Sequence, residues 1–115
     1  MSRPTLHLLP EAVWSGRDPA AAYAPAAFAD DGFIHCTDGE PGIVATANRF
    51  YRDDPRAFLV LTVDLEATGS PWRFDDPEER FPHVYGPIRP AAVLEVRRME
   101  RDADGAFTGI ARGGG

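Results

Sequence analysis

The sequence contains no lysine, and all twelve of its basic residues are arginine. The absence of lysine excludes Schiff-base catalysis, a lysine nucleophile and the lysine of a phosphate-binding P-loop. Arginine is the only fixed cation, and its planar guanidinium favours bidentate recognition of phosphate or carboxylate. A coding bias toward arginine explains the same composition, but the chemical exclusions hold in either case.

Cysteine and long hydrophobic runs are also scarce. The single cysteine, Cys36, excludes an internal disulfide and suits a reducing cytoplasm. No apolar run approaches the roughly 18–20 residues that a membrane helix requires. The N-terminal residues lack the basic and apolar regions of a signal peptide. We therefore expect a cytoplasmic protein with no membrane partner.

The charge balance limits the partners of the chain. Its net charge is −6, whereas a protein that binds the nucleic acid backbone needs clustered cationic side chains. We therefore expect no nucleic acid partner. A length of 115 residues with 43% hydrophobic residues indicates one domain with a modest core. We expect that domain over residues 1–101 and a partly disordered tail over 102–115, in which "AFTGI" could add a short edge strand.

The hydrophobic pattern predicts an α+β domain with five or six strands and one main helix. Apolar residues at helical spacing predict an amphipathic helix over 40–52, and the Thr37-x-x-Glu40 pattern predicts a capping box at its start. The apolar run at 57–65 predicts a central strand buried on both faces. The remaining predicted segments are strands at 5–9, 33–37, 71–74, 81–88 and 91–99, and a loop with short helical pieces at 17–32.

Two of these strands carry the same frame, in which Phe, His and a hydroxyl-bearing residue alternate with other residues. The frames are "FIHCT" at 33–37 and "FPHVY" at 81–85. Because side chains alternate between the two faces of a strand, the members of each frame share one face: Phe33, His35 and Thr37 on the first strand, and Phe81, His83 and Tyr85 on the second.

We expect the two strands to be non-adjacent, with the two marked faces converging on one cleft. Such a cleft suits a ligand with flat rings and polar groups, because aromatic faces stack while His and Tyr fix the orientation. The alternative is that each histidine is a structural residue that bonds a neighbouring carbonyl.

Other chemistries have less support in the sequence. The histidines show no short metal-ligand spacing and there is no Cys pair, so we expect no metal site. Cys36 should point away from the His face, and acidic stretches such as 75–80 are typical of solvated surface. Catalysis by paired carboxylates is therefore not expected. At least one of four arginines is expected to face the cleft, where it would clamp a phosphate: Arg17, Arg73, Arg80 and Arg89.

The stretches "FADDGFIHCT" and "FPHVYGPI" resemble the motifs of the bacterial family catalogued as domain of unknown function 952, and the resemblance covers most of the chain. Relatives usually continue with Gln at the start of the helix, whereas this chain has "DGEPG", in which Glu40 takes that place. The family is in turn similar to ADP-ribosyltransferase-like domains, which bind NAD in a cleft between two small, split β-sheets. Within that group it looks closest to the branch that contains RNA 2′-phosphotransferase.

The resemblance implies a small split-sheet fold and an ADP-ribosyl- or phosphotransferase-like enzyme that uses NAD or a related nucleotide. His35 and His83 would be the catalytic residues, with His83 on the strand that bears Glu in related enzymes. NAD would be a substrate, and no cofactor would be required. The residues expected to bind this substrate are His7, which would contact the ribose, and Phe33, Thr37, Tyr85, Arg17 and Arg89. The alternative is a non-catalytic module that binds a nucleotide or a phosphorylated metabolite.

Overall fold

The computed structural model describes residues 2–112, in which seven β-strands and three α-helices are connected by loops and two 3-10 turns. The elements follow one another as β1 (Pro4–Pro10), α1 (Glu11–Ser15), α2 (Phe28–Asp31), β2 (Ile34–His35), α3 (Glu40–Tyr51), β3 (Phe58–Asp64), a 3-10 turn (Leu65–Ala67), β4 (Trp72–Phe74), β5 (Pro82–Val84), a second 3-10 turn (Pro90–Ala92), β6 (Val93–Arg101) and β7 (Phe107–Ile110).

The strands form two antiparallel sheets. The larger has the order β1-β3-β6-β7, and the smaller has the order β2-β5-β4. A bridge between Leu6 and Thr37 ties the chain leaving β2 to β1 and so connects the two sheets. This arrangement confirms an α+β domain with one main helix, and the resemblance to ADP-ribosyltransferases stays a prediction.

Strand β3 lies between β1 and β6 and separates two hydrophobic clusters. Leu59, Leu61 and Val63 belong to the cluster that also contains Ile34 and Val84 of the small sheet. On its other face, β3 contributes to the cluster under α3. Because the two faces of a strand alternate, burial of successive residues requires a cover on each side. The predicted central strand buried on both faces is confirmed.

Helix α3 packs Ile43 and Ala47 against the larger sheet. The helix itself is confirmed, but the capping box is wrong. The N-cap is Gly39, with φ at 82° and no side-chain cap bond. Thr37 precedes the N-cap by two residues, and its backbone pairs with Leu6 of β1. The Glu40 carboxylate does not bond the start of the helix but accepts from the backbone N–H of Ile110 at 3.4 Å.

The end of the domain lies later than residue 101. Strand β7 pairs with β6, and its Phe107 and Ile110 are buried in the cluster under α3. The "AFTGI" segment is therefore an edge strand, which raises the strand number above the five or six expected. The disorder expected for Gly113–Gly115 falls outside the described residues. Within residues 2–112, no helix has both the length and the apolar character to cross a bilayer.

Candidate functional site

The two His frames lie on neighbouring strands. Strand β2 pairs directly with β5, so that Ile34 is opposite Val84 and His35 is opposite His83. The expectation of non-adjacent strands with converging faces is therefore wrong. The histidines belong to one continuous face of the small sheet, while Ile34 and Val84 point to the opposite face and are fully buried.

The aromatic rings on this face contact one another closely. Phe33 stacks on His83 with ring centroids 4.0 Å apart and an interplanar angle of 17°. The two imidazole rings are 5.3 Å apart and meet edge to face. Tyr85 is 5.5 Å from Phe33, and its ring lies 4.6 Å from the guanidinium of Arg73. The faces expected to stack on a ligand are thus partly used within the protein.

Asp75 holds three side chains of the site together. His83 Nδ1 lies 2.8 Å from Asp75 Oδ2, and the Tyr85 hydroxyl donates to the same oxygen. Arg73 Nε donates to Asp75 Oδ1 at 2.8 Å. Sequence reasoning missed this residue because it assigned 75–80 to solvated surface. The available signal was the Arg73-x-Asp75 spacing at the end of a strand, which places both residues on one side.

The hydrogen bonds determine the proton positions around Asp75. Donation from Tyr85 and His83, with Arg73, lowers the pKa of Asp75 to about 2, so its carboxylate is ionised and accepts only. His83 Nδ1 must therefore carry a proton, so that Nε2 is the acceptor in the neutral ring. The same bond to Asp75 raises the pKa of Tyr85.

His35, like His83, has one ring nitrogen bonded to a carboxylate. Its Nε2 lies 3.1 Å from Oδ2 of Asp31, four residues earlier at the end of α2. Neither His35 Nδ1 nor His83 Nε2 has a hydrogen-bond partner among residues 2–112. His35 and His83 therefore bond carboxylates rather than backbone carbonyls, and each keeps one ring nitrogen for a ligand.

A cleft of about 460 Å³ opens beside the two histidines, between the small sheet and α3. Two arginines line it, one from α3 and one from the loop before β5. The lining residues are His35, Cys36, Thr37, Asp38, Gly42, Ala45, Thr46, Arg49, Phe50, Asp75, Asp76, Arg80, Phe81 and His83. We call this space the histidine cleft.

The carboxylates of the histidine cleft are already engaged. Asp38 pairs with Arg3 at 2.6 Å, and Asp76 accepts backbone N–H groups of Arg80 and Phe81. By contrast, Arg49 has no carboxylate partner within residues 2–112, and Arg80 reaches only the exposed Glu78 at 3.4 Å. Three carboxylates of the cleft are thus paired within the protein, while its two guanidinium groups are without a strong ion pair among the described residues.

His7 is buried and has both of its ring nitrogens engaged within the protein. It is 5% exposed, and both ring nitrogens bond protein atoms: Nδ1 the carbonyl of His35 at 2.7 Å, and Nε2 the hydroxyl of Tyr23 at 2.9 Å. Burial lowers the pKa of His7 to about 4. The ring therefore supports the backbone of β2 through His35, and its expected ribose contact stays a prediction.

The other expected substrate-binding residues are only partly brought together. Thr37 lines the histidine cleft as a buried residue, and Phe33 stacks on His83 and contacts the ring of Tyr85. Arg17 lies elsewhere, with its guanidinium 3.4 Å from the Trp14 ring. Arg89 is exposed beside Gly69 and does not line the cleft. The cleft cations are Arg49 and Arg80, of which Arg49 went unnoticed because it belongs to a helix.

Thiol and metal chemistry find little support in the described structure. Cys36 borders the histidine cleft but is only 2% exposed and belongs to the hydrophobic cluster of Ile34, and burial raises the pKa of its thiol to about 12. Within residues 2–112, no group of three or more His, Cys, Asp or Glu side chains could hold a metal ion.

Comparison with known proteins gives a family and a structural relative. The family model described as protein of unknown function (DUF952) matches residues 8–96. The crystal structure of protein CC0527 from Caulobacter crescentus is 27% identical, covers 92% of this chain and 94% of its own, and has a TM-score of 0.74. The solution NMR structure of CC0527 is 28% identical over 89% of each chain, with a TM-score of 0.67. No curated protein matches the chain.

Proposed function

Since the chain belongs to the DUF952 family of proteins of unknown function, we propose its function from the site itself: it is a small enzyme that acts on NAD or a related nucleotide in the histidine cleft. The observation that carries this proposal is the pair of adjacent imidazoles, His35 and His83, each held by a carboxylate through one ring nitrogen. Such anchoring orients the other nitrogen for proton transfer or for contact with a substrate.

The shape and charge of the cleft support a phosphorylated ligand. Its volume of about 460 Å³ lies within the range of small-molecule sites, roughly 300–1,000 Å³. Arg49 and Arg80 provide guanidinium groups that suit phosphate oxygens. Among the described residues, neither arginine forms a strong ion pair, so few contacts within the protein would have to break when an anion binds there.

His83 is suited to the role of general base. Asp75 fixes the proton on Nδ1 and leaves the Nε2 lone pair available. With NAD, the bond between the ribose C1′ and the nicotinamide nitrogen breaks, and its electron pair neutralises the positive ring. Water attacks C1′ and gives its proton to His83 Nε2, so the products are ADP-ribose and nicotinamide. His35 would contact the ribose or the phosphate.

The proposal predicts that the purified chain releases nicotinamide from NAD, which chromatography detects. His83→Ala should lower the rate roughly 100-fold, the lower range for the loss of a general base. Arg49→Ala should raise KM, whereas Arg52→Ala, which removes the same charge three residues later, should not. Circular dichroism of each variant shows whether the fold is kept.

Two outcomes would contradict the enzyme proposal. NAD binding without nicotinamide release in the unsubstituted chain would indicate a non-catalytic module that binds a nucleotide or a phosphorylated metabolite. Absence of NAD binding would exclude NAD as the ligand of the histidine cleft.

Asp75→Asn tests the carboxylate as a positioning residue. The neutral amide cannot stabilise a protonated His83, so we expect kcat to fall by roughly tenfold or more with little change in KM. The pKa of Tyr85 should fall at the same time, because its raised value depends first on the bond to Asp75. Ultraviolet titration of the phenol measures this shift. Glu79→Gln makes the same charge change in the same loop and should alter neither quantity.

A further inference from the structure

A second cleft adjoins the histidine cleft. It has a volume of about 490 Å³ and shares four lining residues with the first: His35, Thr37, Thr46 and Phe50. Its remaining wall is mostly apolar and includes Pro10, Val13, Pro25, Phe33 and Tyr51. We call this space the apolar cleft. The two spaces meet along one boundary rather than lying on separate parts of the surface.

Three polar side chains of the apolar cleft are already paired within the protein: His7, Tyr23 and Arg56. Arg56 donates to Asp54 through Nε and Nη2 at 2.7–3.1 Å. The polar atoms of His7 and Tyr23 bond each other. Uncharged, flat groups are therefore better suited to this space than ions, because an ion would lose its hydration without finding a free partner.

We propose that the two clefts are compartments of one binding site, in which the phosphorylated part of a nucleotide lies at Arg49 and Arg80 and its flat ring lies in the apolar cleft. This inference rests on the proposed function and deepens it. An anion-binding compartment beside an apolar one matches a ligand with one anionic and one apolar end. The shared boundary supports one ligand that spans both spaces.

The aromatic residues favour a planar ring as the occupant. Phe50 lies on the boundary and is 64% exposed, although its helix buries other apolar side chains. Phe33 and Tyr51 add aromatic surface inside the apolar cleft. A planar heterocycle stacks well on such side chains.

The two-compartment site places the bond between ring and sugar next to His35. Among residues 2–112, His35 alone has an ionisable side chain and lines both clefts. The bond broken would therefore be the glycosidic bond rather than a phosphate ester.

Val13→Trp tests the inference, because a bulky indole at this position fills the apolar cleft. Binding is measured by calorimetry with NAD and with ribose 5-phosphate, which lacks the flat ring. We expect the variant to bind NAD roughly tenfold more weakly and ribose 5-phosphate as the unsubstituted chain does. Arg49→Ala should weaken both probes. Ala12→Trp adds the same side chain at an exposed neighbour outside the cleft and should change neither.

The results separate the inference from the function on which it rests. Unchanged NAD affinity in Val13→Trp, together with weakened binding in Arg49→Ala, would overturn the inference and leave the proposed function standing. Unchanged ribose 5-phosphate affinity in Arg49→Ala would overturn the proposed anion site itself. A concentration-dependent dimer that Val13→Trp dissociates would show a second copy in the apolar cleft and would also overturn the inference.

Discussion

The free energy of unfolding should fall by roughly 3 kcal/mol as the pH is lowered from 6.5 to about 4, because of His7. His7 is buried as the neutral imidazole, and burial lowers its pKa from 6.5 to about 4. In this window the unfolded chain binds a proton that the folded chain does not. The stabilisation is therefore fully present above pH 6.5 and is lost as the pH approaches 4.

The hydrogen bonds of His7 agree with a neutral ring. The carbonyl of His35 can only accept, so Nδ1 carries the proton and Nε2 accepts from the Tyr23 hydroxyl. Burial raises the pKa of Tyr23, which keeps the hydroxyl protonated as the donor. A second proton on His7 would leave Nε2 without an acceptor unless the hydroxyl reverses its direction.

Urea unfolding of the unsubstituted chain and of His7→Gln at several pH values measures this effect. The glutamine does not titrate, so the fall in stability between pH 6.5 and 4 should be largely absent in the variant. Asp54 and Asp75 act in a separate window, because their pKa values are lowered from 3.8 to about 2 and their stabilisation is lost only below pH 3.8. Equal pH slopes for both proteins would refute the assignment to His7.

The exposed face of the His strands could be predicted from the sequence because strand alternation is a local rule. One observation confirms it: Ile34 and Cys36 are buried in one hydrophobic cluster, whereas His35 between them is exposed. The pairing of β2 with β5 could not be predicted in the same way. These strands have two and three residues, which is too few for a hydrophobic pattern to specify a partner or a register.

The role of Asp75 depends on contacts between segments that are distant in the sequence. An acidic residue in "DDPEER" has the same composition whether water or a folded neighbour surrounds it. Its function follows from the pairing of β4 with β5, in which Arg73 lies opposite His83. The same limitation applies to the arginines, because Arg49 faces the cleft only through the packing of α3.

Phe107→Ala should lower the free energy of unfolding by about 3–5 kcal/mol, the usual cost of removing a buried phenylalanine side chain. Phe107 is 2% exposed, and its ring meets Phe58 edge to face at 5.7 Å. The Asn48 side chain bonds both the N–H and the carbonyl of Phe107, at 2.7 and 2.9 Å. These contacts attach β7 to α3 and β3, so the segment expected to be a tail belongs to the core.

The contribution of β7 to the core could not be predicted from the sequence, because a segment of four residues that includes a glycine resembles a frayed chain end. Thr108→Ala is the matched control: the residue is exposed on the same strand, and its substitution should change stability by less than about 0.5 kcal/mol. Urea unfolding measures both variants. If Phe107→Ala were as stable as Thr108→Ala, β7 would contribute nothing to folding, and the domain would end near residue 101 as its composition indicates. A large difference instead means that the hydrophobic cluster under α3 is completed only when the last strand is in place.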